Sequence, residues 1–184
     1  MVATLTLEEF LREEEAREEP KPAREFACGE AFPKEMPGWD HSTIQAFLCI
    51  VLGQFLSHNP LGRVLTEFRC IFGPAGRQRT YVPDLSYVAR ERLTGERYLR
   101  AAPDLAIEIL SPDQNRARFL DKIQFYLLHG VRMVWIIDPA TSMITVETPG
   151  QDARVLKPGE ALDGGNVLPG FSVAVDEIFF QMRI

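Results

Sequence analysis

The sequence predicts an α/β fold in which a mixed central sheet lies between helices. Three observations carry this. Apolar residues recur at helical spacing over 5–18, over the stretch from Asp40 or Ser42 to 58, and over 113–129. Short runs at 63–72, 81–89 and 104–110 read as strands, and "VRMVWIID" at 131–138 is nearly continuous apolar, as a central strand covered on both faces is. Through the middle of the chain the order is therefore helix, strand, strand, strand, helix, strand. Three consecutive strands followed by a crossover helix and a fourth strand make a mixed sheet.

Each element has a local reason. Residues 5–18 place Leu5, Leu7, Phe10 and Leu11 on one side, and Thr6 with Glu9 forms a capping box. "EEPKP" then breaks the helix. "REFACGEAF" at 24–32 reads as a hairpin with Gly29 near its turn, and "PKEMPGWD" as a loop. In the long second helix Ile44, Phe47, Leu48, Val51, Leu52 and Phe55 share helical spacing, and Asn59, Pro60 and Gly62 end it. "GPAGRQR" separates the strands at 63–72 and 81–89. The helix over 113–129 has Ser111, Asp113 or Asn115 to cap it and Gly130 at the position that favours left-handed backbone. Short strands follow at 143–148 and 153–156, "DGGN" and "LPG" read as turns, and 175–181 as a last helical turn.

Length and composition narrow the class further. A chain of 184 residues suits one domain with a hydrophobic core, spanning residues 1–184, with the helix and hairpin of 1–36 as an N-terminal extension. No apolar run approaches the roughly 20 residues that span a bilayer, and the N-terminus lacks the basic start and apolar middle of a signal peptide. Cys28, Cys49 and Cys70 are an odd number without a close pair, which fits isolated thiols in a reducing cytoplasm rather than a disulfide framework or a zinc site. The net charge of −6 speaks against a protein that coats nucleic acid non-specifically, though not against a local basic patch.

The strand pattern isolates two acids. Side chains alternate along a strand, so Val82, Asp84, Ser86 and Val88 share one face, with Leu85 and Tyr87 on the other. Likewise Asp104, Ala106, Glu108 and Leu110 share a face opposite Leu105, Ile107 and Ile109. Glu108 is thus a carboxylate set between apolar neighbours, where an unpaired charge costs several kcal/mol or takes up a proton. If the two strands are neighbours, ~4.8 Å apart, Asp84 and Glu108 stand side by side and can share one cation. Oxygen-only ligation favours a hard ion, Mg²⁺ or Mn²⁺. An arginine partner for Glu108, or a wet sheet edge, satisfies the same pattern. Lysine is scarce, four residues against sixteen Arg, yet Lys122 lies among Phe119, Leu120, Ile123 and Phe125, on one helix face with Tyr126. Folded over the strand of Glu108, its amine reaches the same cleft; a lysine whose stem packs and whose amine reaches water is the alternative.

Taken together, "VPDLSYV" at 82–88, "APDLAIEILSP" at 102–112, "DKIQFYLLHGVRMVWIIDP" at 121–139 and "LPGFSVAVDEIF" at 168–179 resemble the PD-(D/E)XK nuclease superfamily, and most closely its Uma-two group of restriction-endonuclease-like proteins. "TLEEFL", "REFACGEAF" and "HSTI" follow the same order, so the resemblance covers nearly the whole chain. It implies a restriction-endonuclease-like core, which agrees with the element order above. It also implies that Asp84 and Glu108 are metal-binding acids, with the backbone carbonyl of Ile109 as a further ligand, and that Mg²⁺ or Mn²⁺ is the cofactor. Where the superfamily pattern has a strand lysine, two residues after Glu108, this chain has Leu110; the resemblance moves that role to Lys122 on the next helix. Tyr126, Glu25 and Asp104 become candidates for supporting positions, with an ordinary hairpin role for Glu25 and a strand-start cap for Asp104 as alternatives. His41 has a family-like position, read here as a polar residue in the first turn of a helix.

The resemblance implies a metal-dependent nuclease acting on nucleic acid, most naturally a DNA endonuclease, with Asp84, Glu108 and Lys122 as the catalytic set. No membrane partner is expected, and a homodimer remains open because enzymes that cut both strands often pair. The missing strand lysine and the acidic balance keep a second reading alive: an inactive module that retains the nuclease fold. A purely structural role for all three residues is the third.

Overall fold

The structure, a computed structural model, describes residues 5–18 and 22–182. Helix α1, Leu7–Ala16, starts with the predicted capping box: the Thr6 hydroxyl accepts from the Glu9 N–H, and the Glu9 carboxylate accepts from the Thr6 N–H at 2.9 Å. Part of the predicted break at "EEPKP" lies outside the described residues. Strands β1, Arg24–Ala27, and β2, Glu30–Pro33, form the hairpin. Its two turn residues, Cys28 and Gly29, both have positive φ, as a tight two-residue hairpin turn requires. Helix α2, Trp39–His58, begins one residue before Asp40, with Gly38 rather than a polar side chain at its cap.

Ten further strands and two helices follow. They are β3 Gly62–Thr66, β4 Cys70–Phe72, β5 Arg79–Tyr81, β6 Leu85–Ala89, β7 Leu105–Ile109, α3 Arg116–Leu128, β8 Met133–Asp138, β9 Met143–Glu147, β10 Arg154–Leu156, β11 Ala161–Asp163, β12 Ser172–Ala174 and α4 Val175–Phe180. The central sheet has the order β10-β9-β8-β7-β6-β3 and is mixed: β7 and β8 are parallel, joined by α3, and every other pair is antiparallel. A second sheet, β2-β1-β5-β4, is antiparallel throughout.

Two of the predicted strands divide. The run 63–72 becomes β3 in the central sheet and β4 in the small one, because the chain turns at Glu67, which has positive φ. The run 81–89 becomes β5 and β6, again one in each sheet. The break falls at Val82-Pro83-Asp84, where Pro83 has no N–H to give a ladder. Asp84 therefore sits just ahead of β6 rather than within a strand. Strands β11 and β12 flank the "DGGN" and "LPG" turns and were not predicted. The C-terminus of α3 follows the prediction: Gly130 has φ 107°, and the Val131 N–H closes back on the Tyr126 carbonyl at 3.1 Å.

The alternation on β6 and β7 divides the core. Leu85, Tyr87, Leu105, Ile107 and Ile109 pack with Trp135 and Ile137 of β8 against Ile44, Leu48, Leu52 and Leu56 of α2. Val88, Ala106 and Val134 face the other way, against Phe119, Ile123 and Tyr126 of α3 and against Phe32, Phe72 and Tyr81 of the small sheet. Each large side chain buried in this way contributes about 1.5–3 kcal/mol. β7 is thus covered on both faces, which is why it reads as continuous apolar apart from Glu108. At the sheet edge Gly62 lets β3 close on β6, since a Cβ there would run into the Val88 carbonyl oxygen. Among the described residues no helix is long and apolar enough to cross a membrane.

Candidate active site

The site forms at the seam between the two sheets. β6 and β7 pair with Leu85 opposite Ile107, so Asp84, one residue ahead of β6, and Glu108, one residue beyond Ile107, come to the same end of the ladder. Both acids are buried. They share the face of the sheet that looks toward α3 and the hairpin. A small cleft opens over them, lined by Glu25, Lys34, His41, Asp84, Glu108 and Lys122, with Ser111, Gln114, Asn115 and Arg118 at the start of α3 along its rim. Its volume is about 80 Å³, room for several waters at the roughly 10–15 Å³ that each needs.

Asp84 is held by three donors. Its Oδ2 accepts from the Ile109 N–H at 2.7 Å and lies 3.1 Å from His41 Nε2. Its Oδ1 lies 2.6 Å from Lys34 Nζ. Burial pushes the carboxyl up, but the hydrogen bond from His41 and the charge of Lys34 together outweigh it, and Asp84 stays ionised well below the usual carboxylate range.

Glu108 is held differently. Lys122 Nζ donates to it at 2.9 Å, and the Tyr126 hydroxyl donates to Oε1 at 2.8 Å. Lys122 and Tyr126 are four residues apart on α3, one turn, so both reach the same strand residue. Burial pushes the Glu108 carboxyl up to about 7 although Lys122 opposes it, with Asp84 and Glu25 adding to the rise. Lys122 feels the same burial in the other direction; the charges of Glu108 and Glu25 outweigh it and raise its pKa, so the amine is charged. Glu25 accepts from Lys122 Nζ at 2.9 Å and, through the same oxygen, from the Val82 N–H at 2.9 Å. Cys70 lies near enough to feel Glu108; burial first and that charge second push its thiol up to about 12, so it is not a nucleophile at neutral pH.

The structure brings together Asp84, Glu108, Ile109, Lys122, Tyr126 and Glu25. Glu25 is no ordinary hairpin residue, since its carboxylate ties β1 to the backbone at Val82 and to Lys122. Asp104 is not in the cleft. It sits at the other end of β7, where one oxygen accepts from the Ala89 N–H at 2.9 Å and the other meets Arg92 at 2.8 Å. Of its two sequence readings, the strand-start cap is the one its contacts match. His41 does stand in the first turn of α2, but its ring turns inward to Asp84. Lys34 is a cleft residue that the sequence reading missed. It lies in the loop after β2, where no periodicity applies; its only signal was that lysine is rare in this chain.

A mixed sheet between helices, with an acid pair at adjoining strands and an amine from the crossover helix, defines the restriction-endonuclease-like fold class. Over 97% of its length the chain superimposes on 99% of a protein from Anabaena variabilis, titled a "putative nuclease belonging to DUF820", with a TM-score of 0.85 and 30% identity. No curated protein matches the chain. Residues 7–176 match the Uma2 family, described as "Putative restriction endonuclease", and the chain belongs to that family.

Proposed function

We propose that the chain is a metal-dependent nuclease that hydrolyses phosphodiester bonds in nucleic acid, as a DNA endonuclease. The observation that carries this reading is that Asp84, just ahead of β6, and Glu108, on β7, line one cleft, with a charged amine held on Glu108. The family, described as a "Putative restriction endonuclease", and the Anabaena relative, described as a "putative nuclease", support the same chemistry.

The donor set fits Mg²⁺ or Mn²⁺. It is all oxygen, and among the described residues no group of three or more His, Cys, Asp or Glu is placed to hold a metal. An ion on Asp84 and Glu108 would therefore keep several waters, as Mg²⁺ does. The Ile109 backbone carbonyl is a further candidate ligand. Bound there, the ion supplies Lewis-acid polarisation of the scissile phosphate and of a water.

The chain's own residues would do the rest. The Ile109 N–H and His41 fix the Asp84 carboxylate in one orientation. Glu25 and Glu108 keep Lys122 charged, so its amine can neutralise charge that develops on a phosphate oxygen. Tyr126 fixes the rotamer of Glu108. Arg118, stacked over Phe32 at 4.3 Å, presents a guanidinium at the rim, where a nucleic-acid backbone would pass.

Purified protein incubated with DNA should cut it only with Mg²⁺ or Mn²⁺, and Asp84→Ala or Glu108→Ala should lower the rate by roughly 10²–10³-fold or more. Cleavage that persists in both variants would assign the activity elsewhere. One observation favours a second reading, an inactive module with the nuclease fold: both acids already have protein cations, and Leu110 stands where the superfamily has its lysine. That reading expects no heat of binding when Mn²⁺ is titrated into the protein.

A further inference from the structure

One charged group of the cleft has no part in the chemistry above. Lys34 follows β2 and leads the loop into α2, and its side chain is 15% exposed at the mouth of the cleft. Its amine lies 2.6 Å from Asp84 Oδ1, and neither atom has a further hydrogen-bond partner among the described residues. This single ion pair is the one polar contact that holds the ammonium among the described residues.

The two lysines of the cleft therefore differ. Lys122 rises from the middle of a helix and donates to two carboxylates, Glu25 and Glu108. Lys34 hangs from a loop and pairs with one carboxylate, Asp84. Its charge also reaches Glu108. Asp84 Oδ2 is already taken by the Ile109 N–H and His41, which leaves Oδ1, the oxygen under Lys34, for any ion. An ammonium on a four-carbon stem is a compact point charge that can occupy such a place and leave it.

We propose that Lys34 is the internal counter-cation of the acid pair: its ammonium covers the Asp84 oxygen that a divalent ion takes, and gives it up when the ion binds. The inference rests on the reading of Asp84 and Glu108 as metal ligands. Released, the amine stays at the cleft mouth, where it faces an incoming phosphate.

The test is a calorimetric Mn²⁺ titration of the whole chain, with folding checked by circular dichroism. Lys34→Met and Lys34→Gln remove the competitor and should each bind Mn²⁺ about tenfold more tightly than wild type. Lys34→Arg keeps the charge and should not gain affinity. Unchanged or weaker binding in folded Lys34→Met and Lys34→Gln overturns the counter-cation role. If neither wild type nor these variants bind Mn²⁺, the acids are not metal ligands and the proposal falls with that reading. Wild-type protein gives a second measure: reductive methylation of Lys34, with exposed Lys157 as reference, should speed up several-fold when Mg²⁺ is added. A rate that Mg²⁺ leaves unchanged or lowers also overturns the proposal.

Discussion

Strand β7 has a buried acid at each end, and the two are solved in opposite ways. Asp104, just before the strand, has a backbone N–H on one oxygen and Arg92 on the other, with Arg132 3.5 Å away. Both arginines reach solvent, so the acid is balanced by long side chains that give up little hydration. Glu108, near the end of the strand, meets an amine and a phenol that are themselves buried, and faces a second acid. Around it three carboxyl groups, Glu25, Asp84 and Glu108, share two lysines. Proline-aspartate occurs three times in this sequence, at 83–84, 103–104 and 112–113, and only the first places its acid in the cleft. Burial of an acid is therefore not what marks a site; an incomplete set of cations around it is.

Three experiments break or sharpen this contrast. The largest effect belongs to Lys122→Met, which leaves Glu25 and Glu108 buried without their shared amine. It should cost about 3–5 kcal/mol in urea unfolding at pH 7. A loss no greater than that of a surface substitution would make the cleft as well balanced as the Asp104 end.

Next comes pH. Glu108 rises from 4.5 to about 7, so the folded protein holds this proton more tightly than the unfolded chain does. Its contribution to stability is complete below about pH 4.5 and is lost as the pH rises through about 7. Asp84 has the opposite sign: its contribution is present above 3.8 and is lost as the pH falls toward its depressed folded value. Unfolding midpoints between pH 5 and 8 should therefore fall in wild type, by a difference on the order of 2–3 kcal/mol that Glu108→Gln abolishes. A wild-type profile parallel to that of Glu108→Gln would remove the raised carboxyl. The smallest effect is that of Asp104→Asn, about 1–3 kcal/mol of stability from weakened pairing with Arg92. Its DNA cleavage per folded molecule should match wild type, and a selective loss of rate would bring Asp104 back into the site.

The two acids were legible because alternation along a strand is a short-range signal. Glu108 stood out in "LAIEI", and its face could be counted from Leu105 and Ile107. Tyr126 and Lys122 followed from one helical turn. Glu25 was less legible, since it reaches Lys122 across 97 positions through the pairing of β1 with β5, which no local pattern encodes. Lys34 and His41 lie in and just after a loop, where side-chain direction depends on how α2 docks. The division of 63–72 and 81–89 between two sheets was hidden for a related reason. Propensity marks a stretch as extended, but whether the chain changes sheet depends on single residues such as Glu67 and Pro83.

The hairpin of β1 and β2 looks, in the sequence, like an appendage to a nuclease-like core. Glu25 comes from its first strand, Lys34 from the residue after its second, and Phe32 underlies Arg118. Trimming the chain to a minimal sheet-and-crossover unit would thus strip one wall from the cleft and unbalance the acids that remained. Engineers who borrow this scaffold should treat the hairpin and the residues just after it as a wall of the cleft, and graft new loops elsewhere.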